Sequence, residues 1–339
     1  MTRRTTGTRR AVHGTHVAQG VHGVRGAAAA VLCAALCTAV LAGCAGGSGD
    51  GGTGDDGRAA STAGAGERGR GGAGASTERA KPVVEPAALR GDGVRVNVAD
   101  GQRVGVGMPV SVTFARPVPA AERAAVEKRL RVRTSTPTTG SWSWVKDRNL
   151  HEGQRVDYRP RAYWKPGTEV TVRVGADTVR RFTVARSLIA TVDVRTHTMK
   201  VTKDGTTRRV PVTAGAPGMD TWNGTMVVSD KQRSVLMDSR TVGYADAYKD
   251  YYNYAVHLTT SGTYLHENPK ADTYAGNSNV THGCIGLATD GTARRFFEEV
   301  IPGDVVRVTG SKETVAPGNG YGDWNVPWKE WREGSALHR

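Results

Sequence analysis

Three side chains in the second half of the chain carry the chemistry of nucleophilic catalysis. They are His266 and, after fourteen intervening residues, His282 and Cys284 within the run Thr281-His282-Gly283-Cys284. A cysteine attacks as its thiolate, and an ordinary thiol pKa of about 8.5 leaves only a few per cent ionised at neutral pH, so it needs a base beside it. Imidazole suits that task because it takes and returns a proton near pH 7. Gly283 lets the backbone turn sharply, and with no Cβ there a carbonyl can approach the N–H groups where an oxyanion would form. An inert core thiol and a zinc site are the competing assignments. His-x-Cys departs from the usual ligand spacing and no fourth ligand is evident, so no metal and no cofactor are expected. His282 stays open between the base and a partner that shapes the loop.

The other cysteines set the compartment. They stand at 33, 37 and 44, too few for a disulfide framework. Residues 1–26 hold Arg3, Arg4, Arg9, Arg10 and Arg25 and no acid, and Ala27–Ala42 is apolar except for Thr38. Sixteen residues fall short of the roughly 20 that span a bilayer but suit the apolar stretch of a signal peptide. The stretch ends in Leu41-Ala42-Gly43-Cys44, which resembles the lipobox of bacterial lipoproteins, with cleavage before a lipidated Cys44. Loss of 1–43 would lower the formal charge from +14 to +9. In an oxidising compartment an unpaired thiol is a liability unless it does chemistry, which returns attention to Cys284.

The elements that must position these groups are mostly strands. Residues 44–80 form the expected tether: positions 45–80 contain 13 Gly and no Val, Ile, Leu, Met, Phe, Trp or Tyr, so nothing offsets the entropy of ordering. Such a Gly-rich coil is about 30–36 Å from end to end. In 81–186 the runs 94–98, 110–114 and 170–174 alternate with period two, as do Trp142 and Trp144, and a helical piece covers Ala120–Leu130. That pattern suggests an immunoglobulin-like β-sandwich serving as spacer or binding module. A second strand set, 187–310, opens with a hairpin at Asp204-Gly205 and holds one helix, about Thr292–Glu299. Between Asp238 and Asn253 no period is visible, so a functional loop or lid is expected there. The whole chain is read as mainly β.

His266 followed by Thr281-His282-Gly283-Cys284-Ile285 resembles the signature of the L,D-transpeptidases with a YkuD-type catalytic domain. The resemblance spans about 187–310 as a β-sandwich with a short helix, and the preceding region is similar to the immunoglobulin-like domain of the actinobacterial branch. Asp323 to Trp328 and Trp331 resemble that branch's C-terminal element, so 311–339 is expected to pack on the catalytic domain. The resemblance implies Cys284 as nucleophile, His266 as general base, and His282 and Gly283 as loop residues of the oxyanion site. It also implies Met237, in the flap-opening run Met237-Asp238-Ser239, Tyr252 or Tyr254, and Thr281 on the substrate side. Two positions depart from the family: Gly286 stands where Arg or Asn is common, and Val242 where a Tyr is common.

The implied activity is acyl transfer on peptidoglycan stem tetrapeptides, giving 3→3 cross-links through a Cys thioester, with carbapenems acylating the same thiol. The expected site of action is outside the cell, on a lipid anchor at the outer face of the membrane. Export excludes nucleic acid as the partner of the basic charge, leaving wall polymers and lipid head groups. A non-catalytic wall-binding lipoprotein, or an enzyme of this fold that hydrolyses the thioester or attaches proteins to the wall, are the alternatives. The clustered Trp324, Trp328 and Trp331 are read as packing rather than glycan contacts.

Overall fold

A computed structural model describes residues 85–338 except 92, 244 and 246. The expected signal peptide, Cys44 and the expected tether to residue 80 lie outside the described residues. Eight strands build the first sandwich: β1 Val94–Val96, β2 Gln102–Val104, β3 Val110–Phe114, β4 Leu130–Thr134, β5 Gly140–Trp144, β6 Arg155–Pro160, β7 Glu169–Val174 and β8 Thr178–Val184. They form two four-stranded sheets, ordered β1-β3-β6-β5 and β2-β8-β7-β4. The alternation is what closes them: in β7 the valines at 170, 172 and 174 are buried while Glu169 and Arg173 face water. Helix α1 spans Ala120–Glu127 and stops short of Leu130, whose side chain is buried and whose backbone opens β4 opposite Val174.

Nine strands follow: β9 Leu188–Asp193, β10 Thr198–Lys203, β11 Thr206–Pro211, β12 Gly224–Val227, β13 Asp230–Asp238, β14 Lys249–His257, β15 Tyr264–Glu267, β16 Ile285–Leu287 and β17 Val305–Thr309. Helices α2, Ala271–Tyr274, and α3, Thr292–Glu299, interrupt them. The sheets are ordered β11-β10-β9-β17-β12 and β13-β14-β15-β16. Asp204 and Gly205 both have positive φ, 47° and 86°, the conformation a two-residue hairpin turn demands between β10 and β11. The segment expected to be a loop up to Asn253 is partly strand, since β14 begins at Lys249 paired with Asp238. Its residues through Asn253 are exposed or half-buried, so burial imposes no alternation there for the sequence to display.

The C-terminal segment departs from the expectation that it packs on the catalytic sandwich alone. Its first part does so: Asn325 Oδ1 accepts from the Thr225 N–H at 2.7 Å and its amide donates to the Thr225 carbonyl at 2.8 Å. Its last part, helix α4 at Trp328–Glu333, crosses to the first sandwich and covers the free edge of β5. Trp144 N–H donates to the Gly334 carbonyl at 2.9 Å and Trp331 Nε1 to the Ser141 carbonyl at 3.0 Å. The Arg159 guanidinium lies 4.9, 5.4 and 4.7 Å from the ring centres of Trp324, Trp328 and Trp331. The physical reason is an edge to be capped and a buried cation to be covered, both on the first sandwich. Gly105 and Gly107 donate to Pro302 and Gly303 at 2.9 and 2.8 Å, and Val305 of β17 is buried within the first sandwich's core.

Trp331 is 1% exposed whereas Trp328 is only half-buried, so the stability of the tail should rest on the former. Trp331→Ala is expected to cost about 3–5 kcal/mol in urea unfolding, and Trp328→Ala distinctly less. A Trp331→Ala midpoint equal to that of the wild type would mean that the tail is not part of the cooperative fold.

Candidate active site

β15 and β16 run parallel, with Leu265 opposite Ile285 and His266 opposite Gly286. Period-two alternation puts Cys284, two residues before Gly286, on the same face as His266. Both line a cavity of about 120 Å³ together with Met237, Tyr252, Thr281 and His282. Six of the residues singled out in the sequence therefore meet in one place. The cavity is completed by Ala247, Tyr248, Asn268, Lys270 and Val280, which sequence reasoning missed. The Asn268-Pro269-Lys270 turn directly after the candidate base was the available signal for two of them.

Tyr254 does not join them. Its φ of +52° breaks the alternation of β14, and its ring packs 5.7 Å from Phe297 of α3, against the core. Tyr252, by contrast, sets its ring edge-on to His266 with centroids 4.7 Å apart. Of the two tyrosines left open by the sequence, the structure puts Tyr252 at the cavity.

His266 is 3% exposed, and its Nδ1 lies 2.6 Å from the Glu267 carbonyl oxygen. A carbonyl only accepts, so Nδ1 carries the proton and Nε2 keeps the lone pair of a base. Burial lowers the imidazole from its usual 6.5 to about 4, partly offset by that carbonyl. Burial likewise pushes the Cys284 thiol up to about 11, partly offset by the Tyr264 N–H. At rest both groups are neutral, and Sγ points to the Gly262 carbonyl at 3.6 Å. No hydrogen bond joins Cys284 to His266 among the described residues. The arrangement can run a proton transfer coupled to attack; it does not store a preformed ion pair.

The loop carrying the thiol is braced from within. The Thr281 hydroxyl donates to the Cys284 carbonyl at 2.6 Å and accepts from the Gly283 N–H at 3.3 Å. Gly283 has φ of +109°, a conformation L side chains rarely adopt, so glycine at 283 supplies the turn while its own N–H is engaged by Thr281. Thr281 is thereby a brace of the loop as well as part of the cavity wall. The His282 ring sits 5.2 Å from that of Tyr248, on the hairpin arm formed by β13 and β14. Val242 lies in the short 3₁₀ turn Ser239–Val242 at the tip of that arm, which Asp238 caps by accepting from the Arg240 N–H. Among the described residues no group of three or more His, Cys, Asp or Glu is placed to hold a metal ion.

Residues 187–308 match the family model of the L,D-transpeptidase catalytic domain, and residues 71–180 match that of a bacterial Ig domain. L,D-transpeptidase 1 of Mycobacterium tuberculosis is 38% identical over 220 residues, which are 63% of this chain and 84% of that protein. The chain belongs to the L,D-transpeptidase family. L,D-transpeptidase 2 of the same species is 33% identical over 256 residues, 70% of this chain and 60% of the relative. The chain thus spans about 60% of that relative's length, and 55% of the length of L,D-transpeptidase 5. Among solved L,D-transpeptidases, the structure of LdtMt1 in complex with imipenem superposes with a TM-score of 0.58 at 37% identity, covering 64% of this chain and 99% of that one. L,D-transpeptidase 3 of M. tuberculosis in complex with a faropenem-derived adduct gives 0.56 at 30% identity, over 64% and 97%. The L,D-transpeptidase fold accordingly covers both sandwiches and not the catalytic one alone.

Proposed function

We propose that this chain is a peptidoglycan L,D-transpeptidase that forms 3→3 cross-links through a Cys284 thioester. The observation that carries the reading is the shared cavity of Cys284 and His266, with His266 held in the tautomer of a base. The Cys284 proton passes to His266 Nε2 as sulfur attacks the carbonyl of the third stem residue. The C–N bond to D-Ala breaks, the imidazolium returns the proton to the departing amine, and a thioester remains. The side-chain amine of a second stem's diaminopimelate then attacks the thioester, gives up a proton and releases the thiol. A carbapenem acylates the same sulfur by opening its lactam ring.

The reading is tested by mass spectrometry of muropeptides from a strain lacking the gene, complemented with wild type or Cys284→Ser. Loss of 3→3 dimers restored only by the wild type is expected; unchanged dimers would sink the transpeptidase assignment, and restored free tripeptides without dimers would replace it by hydrolysis.

The place of action is part of the same proposal: the outer face of the membrane, on a lipid at Cys44. Cys44→Ala is then expected to shift the protein from the membrane fraction to the medium, or to stall its processing. A processed mutant that still sediments with membranes would rule the anchor out.

A further inference from the structure

Gly286 leaves a place on β16 that a residue of β15's extension has filled. A Cβ at 286 would lie 3.0 Å from the Cβ of Asn268, 3.3 Å from its Nδ2 and 2.8 Å from the Thr213 methyl. The Asn268 amide therefore stands in the space a side chain at 286 would need, opposite the base and on the cavity wall. Its Oδ1 accepts from the Lys270 N–H at 3.0 Å, which fixes the amide and leaves its NH₂ to donate. That NH₂ meets no acceptor among the described residues. Lys270, exposed at the rim, is the one side chain with a permanent charge among the described residues lining the cavity. A neutral donor and an ammonium on one short turn make a receiver for a carboxylate.

A tetrapeptide donor presents a carboxylate one residue beyond the bond to be cut, and this inference rests on the transpeptidase reading that supplies such a donor. We propose that Asn268 and Lys270 bind the terminal carboxylate of the donor stem peptide, Asn268 taking the place that Gly286 leaves open. They are specificity residues: they select a donor that ends at the leaving residue.

The test compares two donors on the full-length chain in detergent, a stem tetrapeptide and the same peptide with its terminal carboxylate converted to carboxamide. The readout is the ratio of their kcat/KM values for release of the terminal residue. Both peptides meet the same thiol and base, so any change in the nucleophile cancels in that ratio. The wild type is expected to favour the carboxylate by about tenfold or more, the worth of hydrogen bonds to a charged group. Asn268→Asp keeps the oxygen on the Lys270 N–H but sets a negative charge against the ligand, and is expected to abolish or invert the preference. Lys270→Met, at an exposed position, should cut it severalfold and decides the matter if Asn268→Asp fails to fold. An Asn268→Asp enzyme with the wild-type ratio, a Lys270→Met enzyme with the wild-type ratio, or a wild type indifferent to the two peptides overturns the assignment. A wild type that releases the terminal residue from neither peptide fails at the transpeptidase reading instead.

Discussion

Cys284→Ser, in a form lacking residues 1–44, is expected to carry no covalent adduct after exposure to a carbapenem, whereas the wild type is expected to gain one per chain. The thiol already sits in an unfavourable place for charge, since burial pushes it up to about 11. A hydroxyl starts from a far higher pKa, and neither the cavity nor a base lowered to about 4 would compensate for that handicap. Sulfur also reaches its carbonyl neighbour across 3.6 Å, a spacing set for a larger atom than oxygen. Intact-mass spectrometry reads the result directly, as one increment or none. An undiminished adduct on the serine variant would end the nucleophile assignment.

The second large effect concerns the base. His266→Ala is expected to slow acylation by about 10²–10⁴-fold, the usual contribution of a positioned proton acceptor. His282→Ala should slow it less, because that ring lies tilted 5.2 Å from Tyr248 beside the hairpin arm, whereas the lone pair of His266 is fixed by the Glu267 carbonyl. The pH profile separates the two. With the imidazole lowered to about 4, wild-type acylation should hold its rate well below pH 6.5 and fall only as the ring protonates near 4. As the pair is coupled, the limbs belong to thiol and imidazole together. Without the imidazole, the rate should climb with pH toward ionisation of a thiol that burial holds near 11. Folding stability follows the same group: the unfolded imidazole binds its proton first, so stability is full above 6.5 and is lost as pH falls toward 4, by about 3 kcal/mol. A His266→Ala rate equal to that of the wild type would move the role of base to His282.

Chemistry was more legible in the sequence than was shape. The thiol, its histidines and the run around them stand out because few residue types do this work and they sit close together along the chain. Strands with one buried face, such as β7 and β9, announce themselves by alternation. The outer part of the β13–β14 hairpin does not, because neither of its faces is fully buried. Tyr252 and Tyr254 could not be told apart either, since a single residue of positive φ decides which ring faces the cavity. Asn268 was invisible for another reason: its importance comes from a side chain that residue 286 lacks on the neighbouring strand. The resemblance led 311–339 to be expected on the catalytic sandwich as a whole, whereas the open edge that its last part covers is β5, some 190 residues earlier.

That last contact has a consequence for biogenesis. Ribosomes deliver β5 long before residues 328–334, and until those emerge the edge of the first sandwich is bare and Arg159 lacks its aromatic cover. The N-terminal sandwich is thus synthesised first but completed last. Its maturation waits for helix α4 to be delivered. A premature stop before Trp331 would then harm a part of the protein some 190 residues from the lesion, leaving a sticky strand edge for quality-control proteases to find.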